Sequence, residues 1–217
     1  MCANDRVAVF DQGCKRCHRL SSFLDDVSQQ YPDYYARPVP AFGDPDAELL
    51  IVGLAPGMHG ANRTGRPFTG DYAGILLYQT LYDFGFGSRP VSESHDDGLE
   101  LKRCRISNAV KCLPPQNKPV TAEIKNCNGF LRAELDTLPE NGVAVALGKI
   151  AHDAVLRAFG LPLSRYQFAH GAEHDVGRLL LLDSYHCSRY NTQTRRLSEA
   201  MFRDIFRRAR ELLDAGS

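Results

Sequence analysis

The stretch ELLIVGLAPGMHGANRTGRPFTGD, residues 48–71, joins a short apolar run to a long loop punctuated by glycines. The apolar run ends at Gly53 and is typical of a strand that is buried on both faces of a parallel sheet. In such sheets ligands bind beyond the carboxyl ends of the strands. The loop therefore lies where a ligand site is expected, and its glycines allow a close approach of the backbone to that ligand.

Further short segments along the chain predict three more strands, at residues 105–110, 143–147 and 178–182. Segments with helical periodicity alternate with them, at residues 18–31, 72–84, 121–138, 149–159 and from Ser198 onward. This alternation predicts a single-domain α/β/α sandwich with a four-stranded parallel central sheet. Three polar segments then fall at the strand ends, namely residues 53–71, 108–117 and 185–191.

Composition narrows the class of protein. The 217 residues are 43% hydrophobic, which is enough for one sizeable core, so we expect one domain over residues 1–217. The 26 basic and 26 acidic side chains balance, so any contact with a polyanion must come from local patches. The N-terminal stretch has no apolar segment typical of an export signal, and we expect a cytoplasmic protein.

The cysteines suggest a metal site. Cys14 and Cys17 form a C-x2-C pair, and Cys112 and Cys127 follow far downstream with wider spacing. Four thiolates suit either a zinc ion or an iron–sulfur cluster, and the spacing does not separate these two. Ordinary buried cysteines are a third interpretation.

Two common nucleotide-binding patterns are missing from the glycine-rich loop. The sequence contains no G-x-x-x-x-G-K-[ST] phosphate loop and no suitably placed G-x-G-x-x-G. The loop therefore gives no support for nucleotide hydrolysis or hydride transfer.

Five motifs resemble family 5 uracil-DNA glycosylases in their order and spacing. They are the loop itself, CKRCHRL at residues 14–20, RPVPAFGDP at residues 37–45, and the segments 108–117 and 186–188 that follow two strands. The resemblance implies a uracil-DNA glycosylase-like fold and a [4Fe–4S] cluster on Cys14, Cys17, Cys112 and Cys127, which ties in the N-terminal arm. It also implies a monomeric, monofunctional glycosylase of base excision repair that removes uracil, and other deaminated bases such as hypoxanthine, from DNA.

The resemblance assigns base binding to residues of the first two polar segments. Such an enzyme must flip a nucleotide out of the duplex and hold its base by stacking and by hydrogen bonds to its edge. Phe68 is the candidate stacking plate and Asn108 the candidate amide reader, and the resemblance places Gly53, Leu54 and Ala55 beside them. A core role for Phe68 and a structural turn role for Asn108 are the alternatives.

Breaking the N-glycosidic bond leaves negative charge on the base and positive charge on the sugar. His186 is the candidate donor to the base as its charge develops, with Asn108 assisting. Asp71 is the only carboxylate of the first motif, so we assign it to position water or to stabilise the cationic sugar. The family usually shows His-Pro-Ser where this chain has His186-Cys187-Ser188, and losing the proline removes a fixed backbone angle beside His186.

Contacts to DNA phosphates come from basic and hydroxyl side chains. The candidates in the matched motifs are Arg63, Arg66, Lys111, Ser188 and Arg189. Two other functions remain open: a non-catalytic iron–sulfur module that binds nucleic acid, and a uracil-only enzyme of family 4, against which Leu54 argues.

Overall fold

The computed structural model describes residues 10–215, so the first nine residues, with most of the stretch on which the export argument rests, lie outside it. Within this range the chain forms six strands, β1 (Phe42–Gly43), β2 (Leu49–Gly53), β3 (Cys104–Asn108), β4 (Gly142–Leu147), β5 (Glu173–Asp175) and β6 (Leu179–Ser184). It also forms seven α-helices, α1 (His18–Gln30), α2 (Ala61–Thr64), α3 (Tyr72–Asp83), α4 (Thr121–Asp136), α5 (Lys149–Ala158), α6 (Arg189–Gln193) and α7 (Glu199–Ala215).

The strands make one sheet in the order β1-β3-β2-β4-β6-β5. Its four central strands are parallel and are those that the sequence predicts. The two edge strands are antiparallel and were not predicted, because they are only two and three residues long and carry no apolar run. The predicted four-stranded parallel sheet is thus the centre of a mixed sheet of six.

Alternate side chains of β2 show how the layers form. Leu49 and Ile51 pack into a core with residues of α3 and α7, whereas Leu50 and Val52 pack into a second core with residues of α4 and α5. Successive side chains of a strand point to opposite faces, so a strand with five buried residues needs helices on both sides. This gives the predicted α/β/α sandwich. None of the helices within residues 10–215 combines the length and apolar content needed to cross a membrane.

A buried polar network joins β6 to its neighbours. The ring of His152 in α5 lies 2.8 Å from a carboxylate oxygen of Asp183 through Nδ1, and 3.1 Å from the Tyr166 carbonyl through Nε2. His174 in β5 contacts the other Asp183 oxygen at 3.0 Å. Because a carbonyl only accepts, Nε2 of His152 carries a proton, and Nδ1 needs a second one to face the carboxylate. His152 and Asp183 therefore form a buried ion pair.

The pKa of His152 links this ion pair to pH. Burial lowers the pKa, but the hydrogen bond and charge of Asp183 outweigh burial and raise it above the ordinary value. The ion pair's stabilisation of the folded state is therefore fully present below about pH 6.5, the ordinary histidine pKa. This stabilisation is lost as pH rises through the raised pKa of His152.

We predict that the free energy of unfolding of the wild type falls more steeply between pH 6 and pH 9 than that of His152→Gln. Chemical denaturation at a series of pH values measures both slopes. His95→Gln, at an exposed side chain, is the control and should follow the wild type. Equal slopes for the wild type and His152→Gln would contradict the ion pair.

Candidate active site

A cavity of about 410 Å³ opens at the carboxyl ends of the parallel strands. Its walls come from the three polar segments that follow β2, β3 and β6, as the sequence predicts. The cavity-lining residues include Leu54, Ala55, Phe68, Asp71, Asn108 and His186. Parallel strands end at the same edge of the sheet, which is why segments more than a hundred residues apart meet here.

Gly53, the last residue of β2, lets two side chains of this site pack together. It pairs in register with Asn108, the last residue of β3. A Cβ atom on Gly53 would lie 2.4 Å from Asn108 Oδ1 and 2.6 Å from Phe68 Cζ, far closer than such atoms approach. The ring of Phe68 and the amide of Asn108 thus occupy the space that any other residue would fill. Gly53 itself supports the cavity and does not line it.

Phe68 is held in an unusual conformation. Its φ is +54°, in the left-handed region that bulky residues rarely adopt. A Cβ on Gly74, in the first turn of α3, would lie 1.8 Å from the Phe68 carbonyl oxygen, so this backbone rests directly on the helix. Strain of this kind is concentrated at functional sites, where surrounding structure maintains it. The fold thereby fixes the ring at the cavity wall.

His186 lies beside Phe68. The two ring centroids are 5.9 Å apart, and the angle between the ring planes is 26°. Its Nδ1 is buried and has no hydrogen-bond partner within the described part of the chain. Burial lowers the pKa of His186 to about 4. The ring is therefore neutral at physiological pH, and it can donate one hydrogen bond without bringing a positive charge into the pocket.

Asp71 supplies the carboxylate of the cavity. It is the N-cap of α3, where its Oδ1 accepts a hydrogen bond from the Gly74 N–H at 2.9 Å. Burial raises its pKa, and hydrogen bonds from the Gly74 and Ala73 N–H groups oppose that rise. The helix cap holds one oxygen, which leaves the other available for a ligand or a water molecule.

Asn117 and Tyr72 are polar cavity residues that sequence reasoning missed. Asn117 ends the second polar segment and has a φ of +55°, a conformation that asparagine tolerates well. Tyr72 follows Asp71 and carries the Arg189 guanidinium 5.0 Å above its ring. In the sequence, both residues lie in or next to segments that hold predicted site residues, and this proximity could have identified them.

The structure contradicts two predicted DNA contacts. Arg66 is 5% exposed, pairs with Asp97 at 2.7 Å and lies over the ring of Phe42. Lys111 is 1% exposed, and its ammonium pairs with Glu134 at 2.7 Å. Neither charge reaches the surface, so the assignment of these two residues to DNA contact is wrong.

The other three predicted DNA-contact residues are accessible. Arg63 and Arg189 are exposed. Ser188 is half-buried and caps α6. Ser188 and Arg189 also line the cavity, so the rim of the pocket has hydroxyl and guanidinium groups of its own.

The four cysteines of the predicted metal site meet at the start of α1, where all of them line one small cavity. None forms a disulfide. The backbone N–H of Lys111 donates to Cys127 Sγ at 3.3 Å, and the Asn126 amide donates to Cys17 Sγ at 3.5 Å. Hydrogen bonds of this kind favour thiolates.

The spacing of these thiols can be compared with what a single zinc ion requires. A zinc ion bound at about 2.3 Å by four thiolates brings them to within about 4 Å of one another. Within residues 10–215, the one group of three or more potential ligand atoms that all lie within 4.8 Å of each other is His152, His174 and Asp183. The four sulfur atoms are thus spread more widely than a single zinc ion requires.

Comparison with known proteins assigns the chain to a family. The family model of the uracil DNA glycosylase superfamily matches residues 40–210. The chain belongs to the uracil-DNA glycosylase superfamily. That range contains the whole cavity and two of the four cysteines.

Curated relatives narrow the branch of the superfamily. A protein of Thermus thermophilus named Type-5 uracil-DNA glycosylase is 47% identical over 92% of this chain and 93% of its own length. A Type-5 uracil-DNA glycosylase of Pyrobaculum aerophilum is 41% identical over 94% of this chain and 89% of its own length. A Type-4 uracil-DNA glycosylase of Sulfurisphaera tokodaii is 30% identical over 88% of this chain and 78% of its own length. The predicted family 5 resemblance is confirmed.

A solved structure agrees at the level of the fold. The crystal structure of wild-type SMUG2 from Pedobacter heparinus matches with a TM-score of 0.51 and 13% identity, over 97% of this chain and 95% of that one. At this identity the match supports the uracil-DNA glycosylase-like fold alone.

We predict that His186 stays neutral in the free protein down to about pH 5, because its pKa is about 4. Nitrogen NMR of the histidine rings across pH 4.5–8 measures this directly. A titration midpoint for His186 near 6.5 would contradict its enclosure in the pocket.

Proposed function

We propose that this chain is a monofunctional DNA glycosylase that hydrolyses the N-glycosidic bond of uracil in DNA. The observation that carries the proposal is the convergence of Phe68, Asn108, His186 and Asp71 on one cavity. An aromatic face, an amide, a neutral imidazole and a carboxylate are the groups that base excision needs, and family membership agrees with them.

Base recognition follows from Phe68 and Asn108. A flipped base stacks on the Phe68 ring, a contact that contributes about 1–3 kcal/mol per base. The Asn108 side chain is 3% exposed and both donates and accepts, which matches the alternating carbonyl and N–H groups of a uracil edge. A charged side chain at this position would pay a large desolvation cost, which the amide avoids.

His186 and Asp71 stabilise the two opposite charges that bond cleavage creates. As the bond breaks, the electron pair stays with the base, and the neutral His186 ring donates a hydrogen bond to the developing anion. The sugar becomes cationic, and the Asp71 carboxylate stabilises it and orients the water that attacks the anomeric carbon. That water gives up one proton to the solvent as the new C–O bond forms, and the departed base anion takes up one proton from the solvent, so the net change is hydrolysis. Leu54, at the start of the loop, has no group that activates water.

We include other deaminated bases such as hypoxanthine among the substrates. The cavity of about 410 Å³ has small side chains in its wall, among them Ala55, Ala61 and Ala73. Sites of roughly 300–1,000 Å³ accommodate ligands larger than a pyrimidine. A stacking surface also tolerates more than one kind of base.

We place DNA over the rim formed by Ser188 and Arg189, with Arg63 nearby. The chain has no net charge, so its affinity for undamaged DNA is expected to be modest and to fall steeply with salt. We further propose that the chain acts as a monomer.

We propose that Cys14, Cys17, Cys112 and Cys127 hold a [4Fe–4S] cluster. Their shared cavity and their spacing, wider than a zinc ion needs, support this assignment. The cluster would supply structural cross-linking: it would join the arm before α1 to the segment after β3 and to α4, in keeping with a single domain. The active-site chemistry uses none of these four residues.

We predict that the wild type removes uracil, and more slowly hypoxanthine, from duplex oligonucleotides that carry a single damaged base. Asp71→Asn and His186→Ala should each lower the single-turnover rate of uracil release by about 10²–10³-fold, as expected when one charge-stabilising group is lost. Alkali cleavage at the abasic site followed by gel analysis measures the rate.

Asp71→Asn isolates the carboxylate charge, because asparagine is also a good N-cap and keeps the start of α3 intact. Its melting temperature should stay close to that of the wild type. Full activity of Asp71→Asn would contradict the role of Asp71. No release of any base by the wild type with its cluster intact would favour a nucleic-acid-binding module without catalysis.

We predict about four iron atoms and four acid-labile sulfides per chain for the wild type purified without oxygen. Cys127→Ser should lose them, whereas Cys104→Ser, at a buried cysteine in β3 outside the cluster, should keep them. Metal analysis that finds one zinc ion per chain and no sulfide would overturn the cluster assignment.

A further inference from the structure

The position of the His186 ring depends on its backbone. Its Nδ1 has no hydrogen-bond partner within residues 10–215, so at that atom no neighbour fixes the ring angle. The ring stacks on Phe68, and the Asn191 amide donates to the His186 carbonyl at 2.8 Å. What holds the backbone of residues 186–188 therefore also sets where the ring points.

Cys187 holds this backbone from its buried side. The side chain is 0% exposed and belongs to the core that α3 and α7 share. Burial, together with the charge of Asp71, raises the pKa of Cys187, so the thiol stays protonated and acts as a donor. Its Sγ donates to the carbonyl oxygen of Ala73 at 3.4 Å, a contact between positions 114 residues apart in the chain.

Ala73 belongs to the first turn of α3, and that turn also fixes two other parts of the site. Asp71 caps it through the Gly74 N–H, and the Phe68 carbonyl rests on Gly74. A bond from Cys187 to Ala73 therefore attaches the His186 segment to the same turn that places Asp71 and Phe68.

We propose that Cys187 is a positioning residue for His186, which it anchors to the first turn of α3. This inference rests on the proposed base excision. The thiol bond takes over the task that proline performs by fixing φ at the same position in the family motif. Within the described residues, the Cys187 N–H donates no hydrogen bond to another residue's backbone, so a proline there removes no backbone partner.

The test compares Cys187→Ala with Cys104→Ala. Both cysteines are 0% exposed and lie in the same core, so both variants lose one buried thiol, but Cys104 lies at the start of β3, away from the His186 segment. Cys187→Ala should lower the single-turnover rate of uracil release about tenfold, because small misplacements of a catalytic group are costly. Its affinity for abasic-site product DNA should match that of the wild type, and Cys104→Ala should keep the wild-type rate.

Two further measurements separate positioning from a loss of stability. Cys187→Pro, with a melting temperature close to that of Cys187→Ala, should recover most of the rate. In Cys187→Ala the NMR-determined pKa of His186 should move up toward the ordinary value as the ring loosens. Equal rates for Cys187→Ala and Cys104→Ala would overturn the inference, as would a folded Cys187→Pro as slow as Cys187→Ala.

The failure of this inference differs from a failure of the proposed function. If the wild type releases uracil and Asp71→Asn does not, but Cys187→Ala is as fast as Cys104→Ala, only the role of Cys187 is lost. If the wild type releases no base from the oligonucleotides, the proposed function fails and this inference falls with it.

Discussion

The absence of a side chain at Gly53 is the constraint on which the pocket depends. The last residue of β2 faces the last residue of β3, and the space that a Cβ would need holds the amide oxygen of Asn108 and the edge of the Phe68 ring. A stacking surface and a hydrogen-bonding group therefore stand side by side at the end of a rigid sheet. Sites built on regular elements hold their geometry better than sites built on free loops.

The first turn of α3 is the second organising element. The backbone of Phe68 packs against this turn, and Asp71 caps it. Its Ala73 carbonyl accepts a hydrogen bond from the thiol of Cys187, next to His186. One helical turn thus connects three groups that come from two distant polar segments. Because β2, β3 and β6 are parallel, their carboxyl ends bring these segments within reach of that turn.

Most of this architecture was predictable from the sequence for identifiable reasons. The central strands β2 and β4 are apolar on both faces, as is the first part of β6, and short runs of that kind are typical of strands in the middle of a parallel sheet. The polar segments after them were correctly placed at one edge of the sheet, and Phe68, Asn108, Asp71 and His186 share one cavity, as their motifs suggested.

The misses have physical causes as well. Arg66 and Lys111 resemble surface charges in the sequence, because their carboxylate partners Asp97 and Glu134 lie 31 and 23 positions away and only the fold brings them together. The edge strands β1 and β5 form through pairing with longer strands and have no pattern of their own. The contact of Cys187 with Ala73 is likewise invisible before the fold is known.

The central claim is that a flipped base stacks on Phe68, has its edge on Asn108 and lies within reach of His186. A crystal structure of the protein with abasic-site DNA and free uracil tests it most directly. We expect uracil density in the cavity of about 410 Å³, with the ring against Phe68 and a hydrogen bond to the Asn108 amide. Uracil bound elsewhere on the protein, or an abasic sugar directed away from this cavity, would contradict it.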